Sequence, residues 1–201
     1  MKPKHLWIGG WAIPKKEMEK LATQYDSDCD LTIVVPTQQA LNLSLHEYDQ
    51  IHAYSLGTLI LFKIIEIQAT KAPLNLYAPI LSFCREDQNG GTVSKTQLKL
   101  LQRQLKSKPI ETLNEFYKSA QLPYRAKHLP YNLEDLIWGI EYLRTQSVNL
   151  ETIQPQIGTQ FNFIIGDQDR LLDGQKIKEK IPQIQIIVRA THALESLLKN
   201  I

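Results

Sequence analysis

Residues 53–57 read Ala53-Tyr54-Ser55-Leu56-Gly57 and stand between an apolar run and a strongly apolar helical pattern. A serine placed between a strand and a buried helix, with small residues two positions to either side, is typical of a sharp turn that exposes the serine hydroxyl. Ala53 and Gly57 supply the small residues, although glycine is commoner than alanine at the first place. The alternative is an ordinary turn in which Ser55 caps the following helix. Partner groups elsewhere in the chain must decide between the two.

Short apolar runs alternate with helical patterns around this turn, which predicts an α/β fold with a parallel sheet and crossover helices. The predicted strands are residues 5–9, 30–35, 50–54, 74–79, 160–166 and 185–189. Runs rich in β-branched residues, such as 32–35 and 184–188, indicate strands covered on both faces. Helices are predicted over 14–24 and 58–70, and the second is apolar nearly all round, so we expect it to be deeply buried.

The alternation stops between the fourth and fifth predicted strands. Residues 94–144 have helical patterns throughout, with predicted helices over 94–107, 109–121 and 132–145. An insertion at this place is expected to lie over the carboxyl edge of the sheet. We therefore predict one domain over residues 1–201, with a helical lid inserted over about 84–150.

The composition excludes several classes of function. A net charge of +2, with 43% hydrophobic and 22% charged residues, gives no sign of nucleic-acid binding. No apolar run is long enough to span a membrane, and the N-terminus lacks the apolar region of a signal peptide, so we expect a cytoplasmic protein. Cys29 and Cys84 are expected to be reduced thiols.

Candidate partners for Ser55 follow the late strands. The fifth predicted strand runs into a loop in which three carboxylates compete: Asp167, Asp169 and Asp173. The spacing Gly-x-x-Asp from Gly166 favours Asp169 and leaves Asp167 as a turn residue. His192 follows the last strand, and serine, acid, histidine is the chain order of hydrolases that carry such a turn. The other four histidines have no such placement.

These residues imply acyl transfer through a serine. His192 would take the Ser55 proton as general base, and Asp169 would hold the imidazole tautomer. The oxyanion hole needs the N–H of the residue after the nucleophile, Leu56, and a second N–H from the loop after the first strand. The predicted second donor is Trp11, with Gly9 and Gly10 supplying the flexible backbone and the indole covering the acyl site.

Several segments resemble the pimeloyl-[acyl-carrier protein] methyl ester esterases of biotin synthesis, which are α/β-hydrolases. The catalytic landmarks match in order over residues 7–12, 54–57, 166–169 and 191–193. Three segments in or beside the predicted lid also resemble that family at similar intervals: 82–87, 102–105 and 139–144. Because all α/β-hydrolases share the catalytic landmarks, only these three segments indicate this family in particular.

The resemblance implies an α/β-hydrolase fold of about six mostly parallel strands that lacks the usual N-terminal hairpin. It also implies hydrolysis of the methyl ester of pimeloyl-acyl-carrier protein, without a metal or a cofactor. The acyl chain is then expected to lie under the lid against Trp11, Phe83 and Phe116. Two departures are that the lid is shorter and that Gly9 stands where a histidine commonly precedes the oxyanion glycine.

The charge distribution bears on the partner. Residues 94–128 carry eight lysines and arginines against Glu111 and Glu115, a net charge of +6 in a chain whose total is +2. A basic lid on an acidic body suits an acidic acyl-carrier protein. The two glutamates stand where the family presents arginines to the carrier protein, so we expect docking to use Lys95, Lys99 and Arg103.

Two other functions stay open at this point. One is a generic short-chain esterase or thioesterase that has no carrier-protein partner. The other is a catalytically silent protein of the same fold that binds a partner through its basic lid. The presence of Ser55, Asp169 and His192 argues against the silent protein, because a protein that has lost its catalytic activity is expected to lose at least one of these residues.

Overall fold

The computed structural model describes residues 2–66, 70–153 and 160–199. Within this part of the chain six strands, all parallel, form one sheet in the order β2-β1-β3-β4-β5-β6. They are β1 (Lys4–Ile8), β2 (Asp30–Val34), β3 (Gln50–Tyr54), β4 (Leu74–Tyr77), β5 (Phe161–Gly166) and β6 (Gln185–Ile187). All six predicted strands are therefore confirmed. The strand order reverses between β1 and β3, and in such sheets ligands bind at the carboxyl ends beside this point.

The two β-branched runs expected to be covered on both faces lie instead at the two edges of the sheet. The residues of β2 and β6 are partly exposed, whereas β4 is buried throughout and β1 and β3 are buried after their first residue. Val188, just beyond β6, is 70% exposed. A run of β-branched residues therefore indicated a strand but not its place in the sheet, because edge strands also favour these residues.

Helices connect the strands and cover the sheet. They are α1 (Lys15–Tyr25), α2 (Leu56–Ile65), α3 (Lys95–Ser107), α4 (Pro109–Ser119), α5 (Leu133–Thr145), α6 (Leu150–Ile153), α7 (Gly174–Lys180) and α8 (Leu194–Leu198). Nine of the ten residues of α2 are buried, all except Lys63, as its apolar pattern predicted. The sequence predicted that this helix continues to residue 70, and residues 67–69 of that prediction lie outside the described part of the chain. No helix in the described ranges is long and apolar enough to cross a membrane.

Helices α3, α4 and α5 belong to the lid segment, which we define as residues 84–150. Ser94 and Asn132 cap α3 and α5 with side-chain hydrogen bonds, and Pro109 occupies the first turn of α4. The stretch 120–132 is not helical, so the helical pattern expected throughout 94–144 is wrong there. Pro123 and Pro130 interrupt any helix there, because proline lacks the N–H that a helix interior requires.

Candidate active site

The turn between β3 and α2 holds Ser55 in a strained backbone conformation. Its φ of 52° and ψ of −117° lie outside the regions that non-glycine residues ordinarily occupy. The neighbouring strand supports the turn, because the Ser55 N–H donates to the Tyr77 carbonyl at 2.9 Å. Thr58 Oγ1 donates to the Ser55 carbonyl at 2.7 Å and accepts from the Ile80 N–H at 2.9 Å. Such strain persists only where surrounding contacts impose it, and it is concentrated at functional sites.

Ser55 does not act as an ordinary helix cap. Its hydroxyl makes no capping hydrogen bond to α2 within the described chain and lies 2.9 Å from Nε2 of His192. A Cβ added at Gly57 would lie 2.4 Å from the carbonyl oxygen of Ile8, so the turn passes β1 too closely for a larger residue. The small-residue requirement read from the sequence is therefore a requirement of this close approach, and the helix-cap alternative is wrong.

One of the three competing carboxylates faces the histidine. Asp169 Oδ2 lies 2.7 Å from His192 Nδ1. Asp167 is exposed in the turn after β5. Asp173 instead caps α7, where its Oδ1 accepts from two backbone N–H groups of the first turn at 3.1 Å each. The spacing from Gly166 thus selected the carboxylate that the structure pairs with the histidine.

The three residues form a buried, directed chain of hydrogen bonds. The side chains of Asp169 and His192 are 0% and 2% exposed, and Ser55 is 7% exposed. Asp169 Oδ1 accepts from the N–H groups of Leu171 and Leu172 at 2.8 and 3.1 Å, which leaves Oδ2 for the imidazole. Because the carboxylate accepts from Nδ1–H, Nε2 carries the lone pair that faces the serine hydroxyl. A histidine held in this way can remove a serine proton.

The two predicted oxyanion-hole donors both lie at the carboxyl edge of the sheet, in the segments that follow β3 and β1. Leu56 is the first residue of α2, and Trp11 lies in the loop after β1. Because β1 and β3 are paired up to Ile8 and Ala53, their following loops leave the same edge of the sheet together. Among the described residues, neither backbone N–H has a hydrogen-bond acceptor. Both N–H groups are therefore free to donate a hydrogen bond.

Solved structures of esterases share this architecture. An esterase (EaEST) from Exiguobacterium antarcticum matches with a TM-score of 0.69 and 14% sequence identity, over 96% of this chain and 86% of that one. The esterase RhEst1 from Rhodococcus sp. ECU1013 matches with a TM-score of 0.68 and 16% identity, over 98% of this chain and 86% of its own. This protein has the α/β-hydrolase fold.

BioG from Haemophilus influenzae is also matched, with a TM-score of 0.49 and 16% identity over 94% of this chain and 88% of that one. That likeness is too distant to bear on function. No protein-family model and no curated protein sequence matches the chain. The α/β-hydrolase fold expected from the resemblance is thus confirmed, whereas the activity must be argued from the site.

Two tyrosines of the lid segment hold the oxyanion loop of this α/β-hydrolase. Ala12 has a left-handed φ of 62°, so the unusual conformation falls here and not on Gly9 or Gly10, where flexibility was expected. The Tyr117 hydroxyl donates to the Ala12 carbonyl at 2.6 Å, and the Ala12 N–H donates to the Tyr131 hydroxyl at 2.8 Å. The residue next to the Trp11 donor is therefore fixed on both sides by the lid segment.

The Trp11 side chain is anchored by α5. Its indole Nε1 donates to the Leu136 carbonyl at 2.9 Å. Gly139 packs against the ring so closely that a Cβ there would lie 2.5 Å from the indole. Phe116 of α4 meets the ring edge-on, with centroids 4.7 Å apart. The lid segment thus contacts the oxyanion loop through both its backbone and its tryptophan.

Sequence reasoning missed the three tyrosines of this site. Besides Tyr117 and Tyr131, the Tyr54 hydroxyl donates to the His192 carbonyl at 2.9 Å. Burial raises the pKa of Tyr54 well above its usual range, so this hydroxyl stays protonated and remains a donor. The only local signal was the position of Tyr54 beside Ser55. Each partner lies on a distant element, and spacing along the chain does not reveal such contacts.

The predicted substrate-binding residues do meet above the nucleophile. The cavity over Ser55 is lined by all three of them, Trp11, Phe83 and Phe116, and by Leu122, Leu143 and Leu171. Its volume is about 10 Å³, which is about the room that one water molecule needs. A ligand larger than a water molecule can therefore enter only when some of these lining side chains move aside.

A larger apolar groove adjoins this cavity between α3 and α4. Its volume is about 510 Å³, and it shares Phe83, Phe116 and Leu171 with the cavity over Ser55. Leu98 and Leu101 of α3 also line it. The three shared side chains therefore separate an open apolar surface from the nucleophile.

The three predicted docking residues differ in their surroundings. Lys95 is already paired, because its Nζ lies 2.7 Å from Asp87 Oδ1. Lys99 and Arg103 are exposed on the same helix, one and two turns further on. Of the three predicted docking residues, Lys99 and Arg103 form no salt bridge within the described residues.

Proposed function

We propose that this protein is a serine carboxylesterase with Ser55 as its nucleophile. The observation that carries the proposal is the hydrogen-bonded chain from Asp169 through His192 to a strained serine. A protein that only binds a partner gains nothing from holding a serine in this conformation against an imidazole. The catalytically silent alternative therefore has no observation of its own in its favour.

The geometry supports a two-step mechanism. His192 Nε2 takes the hydroxyl proton as Ser55 Oγ attacks the ester carbonyl. The N–H groups of Leu56 and Trp11 stabilise the oxyanion, and one such donor is worth roughly 3 kcal/mol in the transition state. The imidazolium, held by Asp169, gives its proton to the departing alcohol and leaves an acyl-enzyme. A water activated by the same imidazole then releases the acid and restores the serine.

The substrate that we propose is the methyl ester of pimeloyl-acyl-carrier protein, with methanol as the leaving alcohol. Its support is the resemblance of the segments 82–87, 102–105 and 139–144 to the esterases of biotin synthesis, together with the basic surface of α3. Lys99 and Arg103 are the docking residues that we propose for the acidic carrier protein. Lys95 contributes to docking only if its pair with Asp87 opens.

A generic short-chain esterase or thioesterase without a carrier-protein partner is the second candidate. The small volume of the cavity over Ser55, about 10 Å³, favours it. The pairing of Lys95 with Asp87 also removes one of the charges on which carrier docking depends. Both candidates use the same catalytic residues, so only the dependence on a carrier separates them.

The esterase proposal is tested by Ser55→Ala. We expect hydrolysis of p-nitrophenyl acetate to fall by roughly 10⁶-fold, because the nucleophile is lost. The matched control is Ser119→Ala, which removes an exposed hydroxyl of α4 and should leave the rate unchanged. A Ser55→Ala variant that stays within tenfold of the wild-type rate would contradict the proposal.

The carrier proposal is tested by comparing kcat/KM for the methyl ester on acyl-carrier protein and on free pantetheine. We expect the carrier-bound ester to react faster, with an advantage that shrinks as salt rises. The pair Lys99→Ala and Arg103→Ala should remove this advantage. Changing Lys176 and Lys178, two exposed lysines of α7, should not. Equal kcat/KM values for both esters at every salt concentration would contradict the carrier proposal and support the short-chain esterase.

A further inference from the structure

A second cluster of carboxylate and imidazole groups, unrelated to Ser55, surrounds Asp26. This residue directly follows α1, and its Oδ2 accepts from the Trp7 indole Nε1 at 2.9 Å. The same oxygen lies 2.9 Å from Nδ1 of His5 and 3.3 Å from Nε2 of His52. His52 stacks on Trp7, with ring centroids 4.0 Å apart, so the groups are closely packed.

Two imidazole nitrogens of this cluster are buried and lack a hydrogen-bond partner among the described residues. His5 is 7% and His52 0% exposed, yet His5 Nδ1 and His52 Nε2 have no hydrogen-bond partner in the described part of the chain. Asp26 Oδ2 is close to both but lies off their hydrogen-bonding directions. Buried polar atoms nearly always find a partner, so two orphans beside one carboxylate require an explanation. A cation bound beside Asp26 would supply the partner that both nitrogens lack.

Cys29 adds a third type of donor atom. Its Sγ lies 3.5 Å from Nε2 of His5, the other ring nitrogen from the unpartnered Nδ1. One ligand atom from each of His5, Asp26 and Cys29 lies within 4.8 Å of the other two. Imidazole nitrogen, carboxylate oxygen and thiolate sulfur are the donors that Zn²⁺ takes in proteins. We propose that His5, Asp26 and Cys29 bind a zinc ion, with His52 or a water completing a tetrahedron.

The surroundings suit a divalent cation. The carboxylates of Asp26, Asp28 and Asp49 act electrostatically on Cys29, against one opposing lysine, Lys2. Cys29 is half-buried and Asp28 is exposed, so an ion reaches the cluster from this side. The indole hydrogen bond to Asp26 is the outer-shell contact that orients a ligating carboxylate. On binding, the Cys29 thiol releases its proton to solvent and ligates as the thiolate.

The ion has a structural role in this proposal. It ties the start of β1, which carries His5, to the loop between α1 and β2, which carries both Asp26 and Cys29. None of its ligands belongs to the site around Ser55. Zinc is therefore expected to raise the stability of the folded protein and to leave ester hydrolysis unchanged, and the proposal does not depend on the proposed function.

The test uses untagged, full-length protein stripped with EDTA and titrated with ZnCl₂ against a chromophoric chelator. We expect one bound equivalent, a higher melting temperature with zinc, and a thiolate-to-cobalt charge-transfer band when CoCl₂ replaces zinc. Cys29→Ser and His5→Gln should each weaken zinc binding by at least about 100-fold and abolish the thermal shift. Cys84→Ser, at the other buried cysteine, is the matched control and should change neither quantity.

Other outcomes would overturn the proposal. Failure of the wild-type protein to bind one equivalent of zinc is the first. Binding that survives Cys29→Ser and His5→Gln but is lost in His192→Ala would place the ion at the site around Ser55 instead. Circular dichroism reports whether each variant is folded, and p-nitrophenyl acetate hydrolysis does so for the Cys29 and His5 variants. If Cys29→Ser fails to fold, His5→Gln and the cobalt spectrum of the wild-type protein still decide.

Discussion

The two clusters of carboxylate and imidazole use the same residue types in different geometries. Asp169 lies 2.7 Å from His192 in a directed hydrogen bond, whereas Asp26 lies 2.9 Å from His5 without one. Two backbone N–H groups fix the other oxygen of Asp169, but a single oxygen of Asp26 is shared by an indole and two imidazoles. Only the directed pair can orient one imidazole tautomer.

Distance alone therefore does not make a catalytic carboxylate–histidine pair. The third group decides what the pair can do. At His192 it is a strained serine hydroxyl on a sharp turn, so the pair can move a proton. At His5 it is the thiol of Cys29, so the cluster offers three kinds of metal ligand.

The largest change in kcat is expected when Asp169 is replaced, whereas replacing Asp26 should have almost no effect. Asp169→Asn should lower kcat by about 10⁴-fold, because the amide no longer holds the reactive tautomer of His192. Asp26→Asn should leave kcat for p-nitrophenyl acetate close to the wild-type value. Comparable losses in the two variants would mean that the Asp26 cluster takes part in the chemistry.

A smaller effect is expected from the tyrosines that hold Ala12. Tyr117→Phe and Tyr131→Phe each release one side of the residue beside the Trp11 donor. We expect kcat to fall roughly 10- to 100-fold with little change in KM, since losing an oxyanion donor outright costs 10²- to 10³-fold. Tyr124→Phe is the matched control, because its ring packs on Tyr117 while its hydroxyl has no bond to Ala12. A rise in KM alone would assign the tyrosines to substrate binding.

The third prediction concerns acid stability in the presence of EDTA. Burial, reinforced by His5 and opposed by Asp26, lowers the pKa of His52 from 6.5 to about 3. Between these values the unfolded chain binds a proton that the folded one does not. The free energy of unfolding should therefore fall as pH drops below 6.5, by at most about 1.4 kcal/mol per pH unit from this group.

Urea denaturation at several pH values measures that slope. His52→Gln should reduce the slope of the free energy of unfolding against pH by up to about 1.4 kcal/mol per pH unit, the contribution of one proton. His46→Gln, at an exposed histidine, should leave the slope unchanged. Equal slopes for the wild type and His52→Gln would show that His52 is not held neutral by the fold.

The smallest effects are expected at Asp167 and Asp173, the two candidate carboxylates that do not pair with His192. Asp173→Ala removes the cap of α7 and should lower the free energy of unfolding by about 1 kcal/mol, with kcat unchanged. Asp167→Ala, at the exposed turn residue, should alter neither quantity. A large loss of kcat in Asp173→Ala would reopen the choice of the catalytic acid.

Much of the fold was predictable because its signals are local. Strand runs, helix caps at Ser94 and Asn132, and the spacing around Ser55 all depend on neighbouring residues. Sheet position was not predictable, since the β-branched runs of β2 and β6 became edge strands. Which strands lie at the centre of the sheet depends on the direction in which each crossover connection runs. The residues of a single strand do not determine that direction.

The sequence by itself determined the turn at Ser55, the order of serine, acid and histidine, and the strands that carry them. These follow from backbone sterics and hydrophobic periodicity, which act over a few residues. Only the tertiary structure decided that Asp173 caps a helix, that Tyr117 and Tyr131 hold Ala12, and that the cavity over Ser55 is closed. Those outcomes depend on the directions in which distant elements present their polar groups, and hydrogen-bond direction is a property of the assembled fold.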